Sequence, residues 1–379
     1  MKPKVIFAVQ GEGRGHMTQA LSLKQVLEKN GFEISCVLVG SSERREIPSF
    51  FSSRFEGTEL IRVKSPNFVT KNNRGINIGR SVWSNLRHLR KYIASARILR
   101  KKVEEYRPQL IINFYEPIVA IYGFLNKRIQ PPIVSVAHQY LGEHPKFEFP
   151  IGRKSDQFTL RNYSKFTAKG SARILALSFY PLPNVEGSKL KVVPPLLRGE
   201  VRKLEIQRKE LLLCYLVNNG YRTDIEQWHA QNPEVEMHVF TDTYSDKEVI
   251  EVRPNLFFHK LNDVKFLQYM SEAKGVISSA GFESICEALY LDKPVLMVPV
   301  EGHFEQYCNA HDGFKAGAGI FASTFDITRF LQWIKTRTSS SETFREWENS
   351  SERLFIQHLK EVITERIPDF PLTGDLLPA

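Results

Sequence analysis

The sequence predicts an α/β protein with two Rossmann-like domains that face each other across a cleft. Its 379 residues are too many for one core of usual size, so two domains are expected. Apolar strand patterns alternate with helical patterns in both halves, and in each half a strand runs into a turn of small residues. Residues 180–199 are rich in proline and lack periodicity, which is typical of a crossing between domains.

The composition is that of an ordinary globular protein. Hydrophobic residues make up 42% of the chain, and no apolar run approaches the ~18 residues that a membrane-spanning helix needs. The first apolar run, Val5 to Val9, is too short for a secretory signal. The four cysteines are scattered without CxxC pairs, which indicates buried thiols in a reducing compartment. We therefore expect a cytoplasmic location, with the inner face of the membrane as a further option.

Positive charge is concentrated in one segment. The formal net charge is +10, and residues 71–107 hold eleven Lys or Arg against two acids, which is +9 in that segment. A helix is predicted over 78–107, with an apolar stripe flanked by basic residues. This pattern fits a helix that covers the sheet with a solvated basic face. It also fits contact with anionic lipid headgroups or with a phosphorylated substrate. Nucleic acid is not expected, because no recognised motif and no interleaved aromatic residues accompany the charge.

The first predicted strand runs into a glycine-rich turn. Residues 4–10 form a buried strand pattern, G-E-G-R-G-H follows at 11–16, and a helix is predicted from about Met17 to Asn30. Gly13 and Gly15 would allow close approach of a ligand. The spacing differs from G-x-G-x-x-G, and no acid follows the second strand. A nicotinamide dinucleotide is therefore not expected.

Polar residues follow two later strands of the first half. Glu116 lies just past a strand at 109–113, and His138 and Gln139 follow a strand at 132–137. Parallel sheets bind ligands at the carboxyl ends of their strands, so these three are candidate site residues. A strand at 173–178 is the last one predicted in this half.

The second half begins with a buried strand pattern at 210–217. The turn-forming residues Asn219 and Gly220 follow it. Strands are also predicted at 236–241 and 255–259, and Leu261 follows the second of these. A helix is predicted near the end of the chain, and the proline-rich terminus after it is expected to be extended.

The most informative stretch is 275–317. It predicts a short strand that ends at small residues including Ser279, a helix over 282–290, a break, an apolar strand over 295–298 and a second helix. The free N–H groups and the dipole at the start of the first helix, beside Gly281, favour an anion such as a diphosphate.

Polar side chains on these two helices are placed to bind a sugar nucleotide. Glu283 and Glu287 lie four residues apart and share one helix face, where a carboxylate can accept hydrogen bonds from a ribose diol. Glu305 and Gln306 begin the next helix, where an acid beside an amide can bind two neighbouring sugar hydroxyls. The alternative is an ordinary pair of βα units with a solvated carboxylate pair.

This stretch resembles the C-terminal nucleotide-sugar motif of two-domain (GT-B) glycosyltransferases. It is closest to family 28, which includes the MurG-type peptidoglycan GlcNAc-transferase. The matching positions are Ala280-Gly281, Glu287, Asp292-Lys293-Pro294, Val298-Pro299, Glu305-Gln306 and Asn309-Ala310. The loop that ends in Gly15-His16 resembles the same family. Asp292 stands where the family usually has Gly, no Glu follows His138, and the Asn pair before Gly220 replaces a Gly-Gly-Ser-type turn.

The resemblance implies roles for individual residues. His16 would act as general base, if a base is used, and Glu116 would orient it. Glu287 would hold the ribose, and Glu305 with Gln306 would hold the donor sugar. The donor-binding candidates are Asn219, Gly220, Leu261, Ser279, Gly281, Phe282, Glu283, Glu287, His303, Glu305 and Gln306. The candidates that face the acceptor and the donor phosphates are Gly13, Arg14, Gly15, His138 and Gln139.

The resemblance also implies what each part of the chain does. Residues 1–190 would form the acceptor domain, 191–208 the linker and 209–350 the nucleotide-sugar domain. Residues 351–379 would return to the first domain.

The implied activity is metal-independent transfer, with inversion, of a hexosyl or N-acetylhexosaminyl group. The donor would be a nucleotide-diphosphate sugar, most simply a UDP-sugar, and the acceptor a hydroxyl group that is lipid-linked or part of the cell envelope. The chain lacks the Asp-x-Asp pair of metal-dependent transferases, and no cofactor is expected. Two alternatives stay open. One is a UDP-sugar 2-epimerase of the same fold, and the other is a non-catalytic binder of sugar nucleotides or membrane surfaces.

Overall fold

The computed structural model describes residues 2–42, 46–66, 70–71, 75–76, 87–126, 131–216, 219–241 and 247–366. These residues form two seven-stranded sheets, one in each half of the chain, with helices between successive strands. The predicted pair of Rossmann-like domains is confirmed.

The first sheet is entirely parallel. Its strands are β1 (Lys4–Gln10), β2 (Glu33–Ser41), β3 (Glu59–Lys64), β6 (Leu110–Phe114), β7 (Ile133–Ala137), β8 (Arg173–Leu177) and β9 (Leu190–Val193). Their order is β3-β2-β1-β6-β7-β8-β9. A separate antiparallel pair consists of β4 (Thr70–Lys71) and β5 (Gly75–Ile76). The direction of winding reverses between β1 and β6, and a crevice for ligands opens at such a point.

Helices cover both faces of this sheet. They are α1 (Arg14–Lys29), α2 (Ser49–Ser52), α3 (Leu89–Tyr106), α4 (Pro117–Leu125) and α5 (Lys154–Thr167). Helix α3 buries Tyr92, Ala96 and Leu99 in a cluster with residues of β1, β6 and α4. Part of its basic surface is paired, since the Lys102 ammonium lies 2.7 Å from the Glu59 carboxylate. The described part of the basic segment therefore covers the sheet, and contact with a membrane stays a prediction.

The second sheet is parallel except at one edge. Its strands are β10 (Leu211–Leu216), β11 (Glu236–Thr241), β12 (Val249–Arg253), β13 (Leu256–Lys260), β14 (Gly275–Ser278), β15 (Val295–Met297) and β16 (Gly319–Phe321). Their order is β12-β13-β11-β10-β14-β15-β16, and β12 pairs antiparallel with β13. The helices are α6 (Arg222–Gln231), α7 (Asp263–Glu272), α8 (Phe282–Tyr290), α9 (Phe304–Lys315) and α10 (Ile327–Ile334).

The last two helices connect the halves. Helix α11 (Ser341–Asn349) packs against α8, and α12 (Ser351–Arg366) packs against β9 of the first sheet. Arg173 on β8 pairs with the carboxylates of Glu361 at 3.0 Å and Glu365 at 2.9 Å on α12. One buried cluster contains Leu196 of the crossing, Phe282 of α8 and Phe355 of α12. The two sheets therefore share a core.

Several elements differ from the sequence predictions, among them strands β3 and β16, which were not predicted. The proline-rich crossing contains β9, which extends the first sheet beyond the predicted last strand, because the four-residue run Leu190–Val193 is too short to stand out between prolines. The edge strand β12 was not predicted. Helix α1 begins at Arg14 instead of Met17, so that Gly15 and His16 lie in its first turn.

Among the residues described, no helix combines the length and apolarity needed to cross a membrane.

Candidate active site

The carboxyl ends of the two sheets face each other, and side chains from both meet there. Arg14 at the start of α1 pairs with Asp263 at the start of α7, with 3.2 Å between guanidinium and carboxylate. Gln139, just after β7, donates from Nε2 to Oε1 of Glu305 on α9 at 2.9 Å. These contacts lie where two Rossmann-like domains would bind a ligand between them.

The glycine-rich turn brings the start of α1 close to its neighbours. A Cβ on Gly11 would lie 2.9 Å from the carbonyl oxygen of Gly40, so a larger residue does not fit there. Gly13 is the extended N-cap residue of α1 and has open space around it. A Cβ on Gly15 would lie 2.6 Å from Oε2 of Glu283 on α8. Gly15 therefore lets the second domain approach the first.

His16 lies at the junction of the two domains. Its Nδ1 is 3.1 Å from Oε1 of Gln19, its Nε2 is 3.4 Å from Nε2 of Gln139, and its ring stacks on Tyr115 at 5.4 Å between centroids. Burial lowers the pKa of His16, while the charge of Glu305 and the hydrogen bond to Gln19 oppose that shift. The imidazole is therefore neutral near pH 7 and can accept a proton.

Glu116 belongs to a different hydrogen-bond network from His16. It is the N-cap residue of α4, and its Oε1 accepts from the Ile118 N–H at 2.9 Å and from Ser65 Oγ at 2.5 Å. Burial raises the pKa of Glu116 to about 7. The side chains within hydrogen-bond distance of His16 are Gln19 and Gln139, whereas Glu116 bonds to Ser65 and Ile118. The structure therefore does not bring Glu116 and His16 together as expected. Sequence reasoning missed Gln19, although its position three residues after His16 places it on the same helix face.

The turn after β14 presents the start of α8 to the junction. Ala280 has a left-handed φ of 59°, and its carbonyl oxygen accepts a hydrogen bond from Asn309 Nδ2 at 3.0 Å. Gly281 is the N-cap residue and has no side chain to satisfy the first N–H groups of the helix. Ser279 and Phe282 beside it are buried. Gly281 therefore leaves the first N–H groups of α8 without a side-chain cap, and the N–H of Glu283 bonds to that residue's own carboxylate.

The two carboxylates on α8 contact different parts of the protein. Glu287 is only 2% exposed and accepts two hydrogen bonds from Arg198, at 2.6 Å from Nε and 2.7 Å from Nη2. Glu283 accepts a hydrogen bond from Nε2 of Gln19 on α1. Burial, together with the charges of Glu287 and Glu305, raises the pKa of Glu283 to about 7 against the opposing effect of the hydrogen bond from Gln19.

Arg198 is a site residue that sequence reasoning missed. It lies in the crossing between the domains, and neither its spacing nor its neighbours in the sequence point to a partner. Its planar guanidinium matches the geometry of the Glu287 carboxylate. Each carboxylate oxygen has two lone pairs, so Glu287 can accept from Arg198 and from a ligand hydroxyl at the same time.

The start of α9 carries three predicted donor-binding residues. Glu305 contacts Gln139 across the junction, as described above. Gln306 accepts from the Val300 N–H at 2.8 Å through Oε1, which holds the loop before the helix. His303 is the N-cap residue, and no hydrogen-bond partner is recorded for its buried Nδ1.

His138 does not line the cleft as the sequence led us to expect. It is 4% exposed, its ring stacks on Phe282 at 4.0 Å, and it bonds through Nδ1 to the carbonyl oxygen of Leu177 at 2.8 Å. Burial lowers the pKa of His138 to about 4. The chain turns back toward the sheet after β7, which buries His138 between the domains and leaves Gln139 at the junction.

The remaining predicted positions follow strands β10 and β13 of the second sheet. Leu261 is partly buried after β13, next to Asn262, whose Oδ1 accepts from the Val264 and Lys265 N–H groups at 3.1 Å. Asn219 and Gly220 lie in a short 3-10 turn before α6. Asn218, the other half of the predicted Asn pair, is outside the described residues. The described residues also contain no cluster of three or more His, Cys, Asp or Glu suited to a metal ion.

The chain is similar to known proteins in sequence and in fold. Residues 3–335 match the family model described as glycosyl transferase family 1. An uncharacterized glycosyltransferase of Methanosarcina acetivorans is 24% identical over 337 residues, which cover 83% of this chain and 82% of the relative.

A second relative is the UDP-N-acetylglucosamine–N-acetylmuramyl-(pentapeptide) pyrophosphoryl-undecaprenol N-acetylglucosamine transferase of Fusobacterium nucleatum subsp. nucleatum. It is 24% identical over 312 residues, which cover 78% of each chain. Among solved structures, that of LpCGTa in complex with UDP has a TM-score of 0.61 at 13% identity and covers 96% of this chain and 100% of its own. These relatives agree with the MurG-type resemblance of residues 277–310, and the structural match agrees with the two-domain fold.

Proposed function

This chain belongs to glycosyl transferase family 1 and is a glycosyltransferase, and from that premise we propose that it moves a sugar from a UDP-sugar to a hydroxyl acceptor without a metal ion. The observation that carries the proposal is the meeting of His16 from one domain with the start of α8, Glu283 and Glu305 from the other. A neutral imidazole, a helix N-terminus and two carboxylates are the groups that such a transfer requires.

The donor would lie against the start of α8. Its diphosphate would accept hydrogen bonds from N–H groups after Ala280 that have no side-chain cap, where the helix dipole favours negative charge. Glu287, held by Arg198, would accept from the ribose hydroxyls. Two comparisons support a uridine donor: the transferase of Fusobacterium nucleatum is named for UDP-N-acetylglucosamine, and LpCGTa was solved with UDP.

The sugar of the donor would lie beside Glu305 and Gln139, which are hydrogen-bonded to each other. Glu305 accepts from Gln139 at 2.9 Å, and its remaining lone pairs are suited to sugar hydroxyls. Gln306 would fix the loop beside the sugar through its bond to Val300. This set of hydrogen-bonding groups does not separate a hexosyl from an N-acetylhexosaminyl donor, so the choice is left to a donor panel.

The reaction would be a direct displacement with inversion. The acceptor oxygen forms a bond to the anomeric carbon while the bond from that carbon to the diphosphate oxygen breaks, and the electron pair leaves with the diphosphate. His16 Nε2 takes the proton of the acceptor hydroxyl. The N–H groups at the start of α8 stabilise the charge that develops on the diphosphate, which is the task of a metal ion in metal-dependent transferases.

We propose a lipid-linked acceptor at an anionic membrane surface. The support is the charge of +9 in residues 71–107 and the undecaprenol-linked acceptor named for the Fusobacterium nucleatum relative. Sedimentation with vesicles of anionic and of zwitterionic lipid tests this separately from the chemistry. Equal sedimentation with both at moderate salt contradicts it, because attraction to a charged surface depends on lipid charge.

The activity is tested with a panel of UDP-sugars. A bound donor should raise the apparent melting temperature, since it binds the folded state only. Turnover with a hydroxyl acceptor should persist in EDTA, NMR of the product should show an inverted anomeric centre, and His16→Ala should lower kcat by about 10²–10⁴-fold. Activity that EDTA abolishes and metal restores contradicts the mechanism. A donor whose sugar changes configuration with no acceptor present identifies an epimerase instead.

A further inference from the structure

Three side chains form a hydrogen-bonded row that crosses from the first domain to the second. His16 Nδ1 lies 3.1 Å from Oε1 of Gln19, and Gln19 Nε2 donates to Oε1 of Glu283. Gln19 is 2% exposed, and nothing in its role as a helix residue requires an amide there. The row therefore joins the proposed base to a carboxylate of the other domain.

When Glu283 is ionised, the chemistry of the three groups fixes the direction of both hydrogen bonds in the row. An ionised carboxylate can only accept, so the NH₂ group of Gln19 must face Glu283 and its carbonyl oxygen must face His16. A carbonyl oxygen also only accepts, so Nδ1 of His16 must carry the ring proton. Nε2 is then left with a lone pair. The contact on the other side of the ring agrees, because the Gln139 amide nitrogen lies 3.4 Å from Nε2 and can donate to it.

We propose that Gln19 and Glu283 are positioning residues that hold His16 in the tautomer with the proton on Nδ1, so that Nε2 faces the acceptor as a base. The inference rests on the proposed role of His16. Glu283 belongs to the second domain, so the tautomer is selected only when the two domains are together. Glu283 thereby has a different task from the donor contact expected from its place beside Glu287.

The backbone opposite Glu283 is shaped to admit it. A Cβ on Gly15 would lie 2.6 Å from Glu283 Oε2, so only glycine leaves room for the carboxylate at this position of α1. The charged groups that face Glu283 are Glu287 and Glu305, and Glu305 also faces His16. With its pKa at about 7, Glu283 gains a proton just below neutrality. A protonated Glu283 can donate to Gln19 and reverse the amide, which would move the ring proton of His16 to Nε2.

Nitrogen NMR of the ligand-free protein tests the tautomer directly. The protein is labelled with ¹⁵N in its histidine rings, and the His16 signals are those that vanish in His16→Gln. Above pH 8, Nδ1 should show the shift of a protonated ring nitrogen and Nε2 that of an unprotonated one. In Gln19→Met the preference should be lost, and kcat should fall by about 10–100-fold with little change in KM, because a general base contributes about 10²–10⁴-fold. Gln25→Met, an exposed glutamine two turns along the same helix, is the matched control and should leave both unchanged.

Exchanging the two partners separates positioning from packing. In the double variant Gln19→Glu, Glu283→Gln, the new carboxylate accepts from His16 Nδ1 and from the new amide, so the row is restored with its charge moved next to the ring. The Nδ1 tautomer and kcat should recover to within about tenfold of the wild type. The acid limb of the kcat/KM profile should move to higher pH, because a carboxylate beside the imidazole favours its charged form.

Each result decides one question. If the ring proton of His16 in the wild type is on Nε2, Gln19 and Glu283 do not hold the Nδ1 tautomer, whatever the activity. The same conclusion follows if Gln19→Met leaves the tautomer unchanged. An Nδ1 tautomer that depends on Gln19, together with full turnover by His16→Ala, keeps the row and overturns the proposed base. Absence of recovery in the exchanged variant, with its melting temperature unchanged, shows that Gln19 acts through packing and contradicts the proposal.

Discussion

At the scale of single residues, the site is defined by which side chain each polar group contacts. Glu283 and Glu287 are equivalent in the sequence, as acids one turn apart on one helix face. In the structure one contacts Gln19 of the first domain and the other contacts Arg198 of the crossing. His138 and Gln139 are adjacent, yet one is buried against Phe282 and the other bridges His16 and Glu305. The role of each residue follows from its partner and not from its type.

The pair of Arg198 and Glu287 gives a prediction at this scale. Arg198→Ala should lower the free energy of unfolding by about 3–5 kcal/mol, because it leaves a buried carboxylate without its cation. It should also weaken UDP binding, since Glu287 loses its fixed orientation. Denaturant unfolding and calorimetry with UDP measure the two effects.

The control for this prediction is Arg100→Ala. Arg100 pairs with Glu104 at 2.8 Å on the exposed face of α3, where both side chains are more than half exposed. No measurable change is expected, because solvent screens such a pair. Equal loss of stability in the two variants would contradict the special role of the buried pair.

At the scale of elements, the first turns of α1 and α8 meet at the junction of the two domains. Helix α1 begins three residues earlier than the sequence predicted, because Gly13 and Gly15 suggested a loop by their composition. In the structure Gly15 lies in the first turn of α1, which packs against α8. Because Gly15 has no side chain, the carboxylate of Glu283 fits beside it. Asp292, which stands where related chains have Gly, has a left-handed φ of 56°. The guanidinium of Arg337 lies 2.8 Å from its carboxylate, which stabilises a conformation that glycine adopts readily.

The two glycines at the start of α1 give a matched pair of variants. Gly15→Ala should lower kcat/KM by about 10–100-fold, because Glu283 must move away from Gln19 and small displacements at a site are costly. The melting temperature should change little, since the end of a flexible side chain can shift and alanine favours a helix.

Gly13→Ala is the control, because Gly13 has an extended backbone with φ of −124° and open space for a methyl group. It should keep activity within a few-fold of the wild type. If Gly15→Ala is as active as Gly13→Ala, close approach of the two helices is not required.

At the scale of the whole molecule, the two domains behave as one packed unit in their core. Leu196 of the crossing, Phe282 of the second domain and Phe355 of the last helix are buried in one cluster. Trp347 on α11 donates from Nε1 to the carbonyl oxygen of Ser178 in the first domain at 3.0 Å. The C-terminal helices therefore fix the position of the second domain relative to the first.

This shared core predicts how the protein unfolds. Phe355→Ala should lower the free energy of unfolding by about 3–5 kcal/mol, because Phe355 is fully buried and its removal leaves a cavity. Thermal unfolding followed by tryptophan fluorescence and by circular dichroism should shift together in one transition. Phe158→Ala, at a side chain that is 71% exposed, is the control and should not shift either signal. Two transitions, of which Phe355→Ala moves only one, would contradict a shared core.

The sequence by itself determined the fold class, the turn of small residues that follows a strand in each half, and the family that residues 277–310 resemble. These features depend on local patterns: the spacing of apolar residues, small residues after strands and a contiguous motif. Such patterns can be recognised along one chain. Only the tertiary structure decided that α1 starts at Arg14, that β9 completes the first sheet, that His138 is buried, that Arg198 pairs with Glu287 and that Gln19 pairs with Glu283. The last two pairs join residues 89 and 264 positions apart, and no local pattern records which distant groups will meet.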